Sequence, residues 1–334
     1  MATPKKLPSG NYRMRVYMGK DANGKGIYTS VTASSKKECI AKAALMDKNP
    51  KKLVKMTVQE AIEQYILLRK EVLSPSTVRG YEKTLRCHLE AVKHIQVSAL
   101  TQEDVQRQVN ALTRTLSSKT IANAIGLLHS AVKGMVSEDV FNVLTPQAKP
   151  SEIKIPSSTD VTKLIEAVSG LEIELPVLLA MQCGLRMSEV LGLKKSDVDF
   201  TNKTITIRRA IVLDEVGAAV EKAPKSFKGN RTIPMPPKVA ELLKATDGTG
   251  YVVNMTANAI KHRLERLLAK EGIGHIRFHD LRHYFASVCL RLNMPERYAM
   301  EFMGHSTPGM LKKYQHIMDE EKKRLGDQLA NYFN

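Results

Sequence analysis

Residues 278–314 read FHDLRHYFASVCLRLNMPERYAMEFMGHSTPGMLKKY, and the way this stretch must fold decides how the rest of the chain is arranged around it. Leu281, Tyr284, Phe285, Val288 and Leu292 recur at helical spacing, which predicts one amphipathic helix. His279 and Arg282, three positions apart, project from one surface of that helix. His305 and Tyr314 cannot share a face, because nine residues at 3.6 per turn leave them half a turn out of phase. A break must lie between them. Gly304 has the character of the left-handed residue that closes a helix, Ser306 or Thr307 of the next N-cap, and Pro308 of a first turn. His305 is thus expected in a tight corner, with Tyr314 further along the following helix.

A tyrosine hydroxyl with a pKa near ~10 is a weak nucleophile at neutral pH, and it gains reactivity only where cationic groups stabilise the developing charge. Arginine and histidine supply that charge. His279-x-x-Arg282, then Met303-Gly304-His305, then Tyr314 resembles box II of the tyrosine recombinases, the phage integrase family, with Met303 where that family usually has Leu. A zinc helix is the competing reading, since His279 and His283 stand at i and i+4. That motif wants Glu where this chain has Asp280, and the neighbouring arginine would repel the ion, so no metal is expected.

A chain of 334 residues is long enough for two or three domains, and 43% apolar content supports folded protein. The net charge is +17 with charged residues of both signs at 25%, which points to a polyanionic partner. There is no run of eighteen apolar residues, and MATPKKLPSG lacks an apolar signal core. The expectation is a soluble cytoplasmic protein that meets nucleic acid and no membrane. Cys39, Cys87, Cys183 and Cys289 lack metal or disulfide spacing and read as reduced thiols.

The charge is unevenly spread. Residues 1–56 hold thirteen Lys+Arg against three Asp+Glu, more than half of the excess. Here 11–18 alternates, with Tyr12, Met14, Val16 and Met18 on one face and Arg13, Arg15 and Tyr17 on the other. Residues 21–24 form a turn, 26–32 a second strand, and Ser35-x-x-Glu38 a capping box that opens a helix. This small sheet backed by one helix resembles the arm-binding domain of many phage and conjugative-transposon integrases. A solvated basic sheet would look the same by charge alone; under the resemblance, Arg13 and Arg15 are the candidate DNA contacts.

Four helix starts follow, at Thr57-x-x-Glu60, Ser74-Pro75, Thr101-x-x-Asp104 and Ser117 or Ser118, the last running to Met135. They predict a four-helix bundle, chemically plain and equally suited to a protein-interaction module. Its position resembles the core-binding domain of the recombinases. LTPQAKPSEIKIPSS, residues 144–158, reads as a linker. The expected boundaries are 1–55, 56–148 and 149–334, in a multidomain α+β protein: a small β-sheet plus helix in front, a four-helix core-binding bundle, and a mostly helical catalytic domain with a small β-sheet.

In the last of these, the apolar run 175–183 leads into Gly184-Leu-Arg186-Met-Ser-Glu189, with a new helix starting at Ser188. An arginine at such an element boundary can face a ligand. The segment resembles box I of the family, Arg186 matching its catalytic arginine and Glu189 the carboxylate behind it. Residues 204–212 predict one strand, and a hairpin closing around 225–231 places Pro224-Lys225-Ser226 where the family keeps a lysine, with Lys228 close by.

The resemblance implies that Arg186, Lys225, His279, Arg282, His305 and Tyr314 gather on one phosphodiester of double-stranded DNA. Guanidinium groups suit a doubly anionic phosphorane through paired donors, each desolvated contact worth about 3–4 kcal/mol of barrier. Tyr314 would attack phosphorus to give a 3′-phosphotyrosyl link while Lys225 protonates the leaving 5′-oxygen. One phosphoester replaces another, so no cofactor is needed. The family also implies core and arm-type sites, a homotetramer on paired sites, and an excisionase and a host DNA-bending protein as accessory partners. The tail 322–334 has Leu325, Leu329, Tyr332 and Phe333 available to pack, in its own subunit or on a neighbour. Two rivals remain: a type IB topoisomerase-like relaxing enzyme with the same chemistry, and a non-catalytic DNA-binding regulator whose pocket only anchors phosphate.

Overall fold

The computed structural model describes residues 3–20, 26–36, 38–39, 56–147, 155–222, 230–304 and 326–333. The chain divides into two compact units, Met1–Lys149 and Pro150–Asn334. Among the described residues no helix is long and apolar enough to cross a membrane.

The first unit begins with an antiparallel sheet of β1 (Lys5–Lys6), β2 (Tyr12–Lys20) and β3 (Gly26–Ala33), in that order. Met14 lies opposite Val31 and Arg15 opposite Ser30, and the register shifts between Tyr17 and Gly19. The alternation does what the sequence predicts. Val16 and Val31 are buried with Met14 packed against them, and Arg13 and Arg15 are exposed on the other face. Arg15 lies over the Tyr28 ring, 4.9 Å from its centroid. β1 adds an edge that the sequence reading did not anticipate. The helix start at Ser35 is present, with the Glu38 N–H donating to Ser35 Oγ at 3.1 Å. The 21–24 turn and the helix beyond Cys39 lie outside the described residues.

Four helices follow: α1 (Val58–Leu67), α2 (Pro75–His88), α3 (Gln102–Thr113) and α4 (Ser118–Val132). Each begins at an anticipated cap. Thr57 accepts from the Glu60 N–H while Glu60 Oε2 accepts from the Thr57 N–H at 2.6 Å, and Thr101 and Asp104 repeat the pattern. Ser117 caps α4, which ends at Val132 rather than Met135 because Lys133 leaves helical geometry and Gly134 turns left-handed at φ +78°. The fully buried Ile62, Leu89, Ile121 and Leu128 centre a continuous apolar core.

The second unit is built around a helix apolar on every side. α5 (Ser158–Val168) precedes α6 (Glu174–Cys183), which is buried along nearly its whole length, as an all-round apolar helix must be. α7 (Met187–Gly192) follows a corner and leads to an antiparallel sheet of β4 (Val198–Asp199), β5 (Thr204–Ile207) and β8 (Arg231–Pro234), in that order. β6 (Ala210–Leu213) and β7 (Ala219–Lys222) form a separate hairpin. α8 (Pro237–Ala245), α9 (Ala257–Lys270), α10 (Phe278–Arg291) and α11 (Glu296–Met303) complete the unit, with α10 packed along α6.

The single strand expected over 204–212 is therefore two strands in two sheets. The break is at Arg208–Arg209, where Arg209 turns to the buried Asp197 carboxylate and its carbonyl meets Gly192. A Cβ on Gly192 would stand 2.9 Å from that oxygen, so glycine permits the approach. A hairpin not expected from the sequence closes through Asp214–Gly217, where Asp214 Oδ1 accepts from the Ala218 N–H at 2.8 Å; the closure expected around 225–231 falls largely outside the described residues. Residues 326–332 are helical, with Leu329, Tyr332 and Phe333 exposed.

Candidate active site

Two backbone corners, one helix and one strand bring the polar groups together. α6 closes at Gly184, left-handed at φ +67°, with the Leu185 N–H reaching back to the Leu179 carbonyl at 3.2 Å. The Phe285 ring of α10 covers this glycine so closely that a Cβ there would lie 2.5 Å from Cδ1. The chain turns, and Arg186 becomes the N-cap of α7, one residue earlier than a start at Ser188 would put it. Glu189 fixes it from one turn on. Its Oε2 accepts from the Arg186 N–H at 2.9 Å and its Oε1 from the guanidinium at 2.8 Å. The Arg186 side chain remains 37% exposed, so this guanidinium is open on one side.

Arg282 arrives from the buried face of α10 and is 2% exposed. Its guanidinium donates to the Gly184 carbonyl and to the Met303 carbonyl, and lies 3.8 Å from Glu189 Oε2. Arg186 donates to the next carbonyl, Gly304, at 3.1 Å. Gly304 closes α11 in the left-handed region at φ +59°, as its sequence context predicts. Two arginines from opposite ends of the unit thus hold adjacent carbonyls of the corner that immediately precedes His305.

A third arginine completes the cluster. Arg231, on β8 and 5% exposed, donates to both oxygens of Glu189 at 3.0 and 2.8 Å and, through Nε, to the Phe302 carbonyl at 2.7 Å. Burial alone would raise the Glu189 carboxyl; the hydrogen bond and charge of Arg231, with the charges of Arg186 and Arg282, overcome it and hold the group at about 2. Glu189 is an anion beside three cations.

His279 is exposed at the start of α10, its ring centroid 4.6 Å from that of His283 in an edge-on arrangement. Partial desolvation, then Arg282 and Arg186, keep its imidazole below the ordinary 6.5. His283 is buried, and desolvation followed by the charge of His279 brings it down to about 4. Asp280 is occupied by Arg277, which donates to it from its backbone N–H at 2.9 Å and from its guanidinium at 2.9 and 2.7 Å.

The described residues thus bring Arg186 and Arg282 together, with His279 at the head of the helix that carries Arg282. Lys225, Lys228, His305 and Tyr314 lie outside the described residues. The root of the hairpin leading to Lys225 is described: Glu221 accepts from Lys194 Nζ and Tyr251 Oη, both at 2.8 Å, and pairs with Arg209 at 3.3 Å. Arg231 was absent from the sequence reading as a site residue. Its one signal was its place at the end of the Pro-Lys-Ser-x-x-x-x-Arg run, where a buried arginine cannot be told from a solvated one.

The model of the phage integrase family matches residues 157–321, and that of the phage integrase N-terminal SAM-like domain matches 62–139. A XerC-like tyrosine recombinase of Caldanaerobacter subterraneus subsp. tengcongensis is 25% identical, the match covering 96% of each chain. Among solved structures, the Tn1549 transposon integrase in complex with transposon right end DNA has a TM-score of 0.67 at 20% identity, covering 81% of this chain and 100% of that one. A lambda integrase tetramer bound to a Holliday junction has a TM-score of 0.59 at 13% identity, covering 92% and 96%. With two matching models over most of its length and a full-length relative, the chain belongs to the phage integrase family and is a tyrosine-type site-specific DNA recombinase.

Proposed function

We propose that this recombinase cuts and rejoins double-stranded DNA through a 3′-phosphotyrosyl intermediate on Tyr314, and that it integrates or excises a mobile element. One observation carries the reading: Arg282 bonds the Met303 carbonyl and Arg186 the Gly304 carbonyl, so two guanidiniums converge on the corner that immediately precedes His305 in the sequence. A scissile phosphate entering there meets donors already oriented, which stabilise the pentacoordinate transition state without reorganisation. His305 adds a third donor, His279 assists in orientation or proton transfer, and Lys225 protonates the departing 5′-oxygen. The 5′-hydroxyl of another duplex reverses the step and exchanges strands.

The helical bundle serves as the core-binding module and the front sheet as the arm-binding one, where exposed Arg13 and Arg15 meet DNA. The sequence boundaries 1–55, 56–148 and 149–334 remain the proposed limits of the three parts. Strand exchange calls for four copies on paired sites, consistent with the tetrameric assembly of the structurally similar lambda integrase. An excisionase and a host DNA-bending protein would set direction.

A duplex nicked close to the scissile phosphate tests the chemistry, because the short fragment diffuses away and traps the covalent adduct. The adduct is expected with the unaltered protein and absent with Tyr314→Phe. Its persistence in Tyr314→Phe refutes the nucleophile. Adduct with no strand exchange on paired sites favours the relaxing enzyme instead.

A further inference from the structure

Arg231 makes more bonds inside the cluster than the geometry of a stabilising ion pair requires. Its guanidinium grips both Glu189 oxygens, and its Nε holds the carbonyl of Phe302, two residues before Gly304. Gly304 is fitted against it: a Cβ there would stand 2.9 Å from the Arg231 guanidinium. The side chain therefore touches both halves of the site, the carboxylate that orients Arg186 and the corner that both catalytic guanidiniums bond.

Stability alone explains this poorly. A buried ion pair is costly to desolvate, and well-packed apolar side chains often serve as well or better. What the pair contributes is fixed geometry, since a bidentate guanidinium tolerates little rotation. It also sets the charge available to a substrate. Arg186 and Arg231 share Glu189 Oε1, so the carboxylate is divided between them and Arg186 keeps an open side. Three guanidiniums against one carboxylate leave the cluster with an excess of positive charge that a phosphate can neutralise.

We propose that Arg231 is a positioning residue for DNA cleavage: it locks β8 to Glu189 and to the Phe302 carbonyl, and so sets Arg186 and the Met303–Gly304 corner at the spacing a phosphorane needs. It acts through its neighbours and does not touch DNA. The inference rests on the phosphodiester reading above. It differs from an assignment of Lys225, because the element Arg231 steers is the arginine pair and not the acid.

The test uses the full chain with Arg231→Lys and, as a second route to the same contact, Glu189→Gln. Adduct formation is followed in single turnover on two nicked duplexes, one with an ordinary scissile phosphate and one with a methylphosphonate there. The methyl group removes one negative charge and with it most of the need for aligned guanidiniums. Folding is monitored by thermal melting and DNA affinity by titration. Arg231→Lys is expected to slow adduct formation about 10²-fold on the phosphate, as a small misplacement does. On the methylphosphonate the deficit should shrink at least about tenfold, with affinity little changed. Glu189→Gln should behave alike.

A deficit of equal size on both substrates assigns Arg231 a merely structural role and overturns the proposal, as does an unchanged rate on the phosphate in both variants. If the unaltered protein forms no adduct, or Tyr314→Phe still forms one, it is the cleavage reading itself that fails. If Arg231→Lys does not fold, the Glu189→Gln ratio decides by the same criterion.

Discussion

In the helical bundle the buried polar side chains among the described residues are Ser74 and Gln108. In the second unit they include Glu174, Glu189, Asp197, Arg231, Asp280 and Arg282. Both units enclose continuous apolar cores, so the difference is not one of driving force. It lies in what is mixed into the core. A neutral interior holds by transfer of apolar surface and tolerates small rearrangements. A charged one holds only where each ion is met by partners, which makes position strict and errors costly. The bundle can therefore be a plain scaffold, and the second unit can keep arginines aimed at one place.

Leu128→Ala puts the first half of that contrast at risk. The side chain is fully buried in the bundle, and its loss should cost about 3 kcal/mol of stability. The rate of adduct formation per folded, DNA-bound molecule should not change. A melting curve together with single-turnover cleavage at saturating protein checks both. A rate that falls with stability would mean that the bundle core is coupled to the chemistry.

Acid sharpens the other half, with a smaller effect. His283 titrates at about 4 in the folded chain against an ordinary 6.5, so the unfolded chain takes up that proton first. Its contribution is intact above pH 6.5 and is lost as pH falls toward 4. Glu189 is lowered from 4.5 to about 2, so its contribution is present above 4.5 and is lost as pH falls below that. Hydrogen exchange followed by mass spectrometry should show residues 155–304 losing protection at higher pH than residues 56–147. The reverse order would mean that the buried charges do not govern acid stability.

Local rules made much of this legible in the sequence. The capping boxes at Thr57 and Thr101 and the left-handed Gly304 depend on neighbours a few residues away, and they stand where spacing predicts. Arg186 and Arg282 could be selected because family spacing supplied what periodicity could not. The break at Arg208–Arg209 was hidden, because 204–212 reads as one continuous strand and the partner that bends it, Asp197, is set by tertiary packing. Arg231 was hidden for the same reason. Its role comes from Glu189 and Phe302, both distant in sequence, and nothing local distinguishes a bidentate buried arginine from a solvated one.

The guanidiniums held at the Met303–Gly304 corner are proposed to lower the barrier to attack on a phosphate rather than merely to fasten DNA. Arg282→Ala, measured for both duplex affinity and single-turnover adduct formation, tests this most directly. A fall of about 10²- to 10³-fold in adduct rate with affinity nearly unchanged is expected. A loss of affinity as large as the loss of rate would contradict that role and make the cluster an anchor.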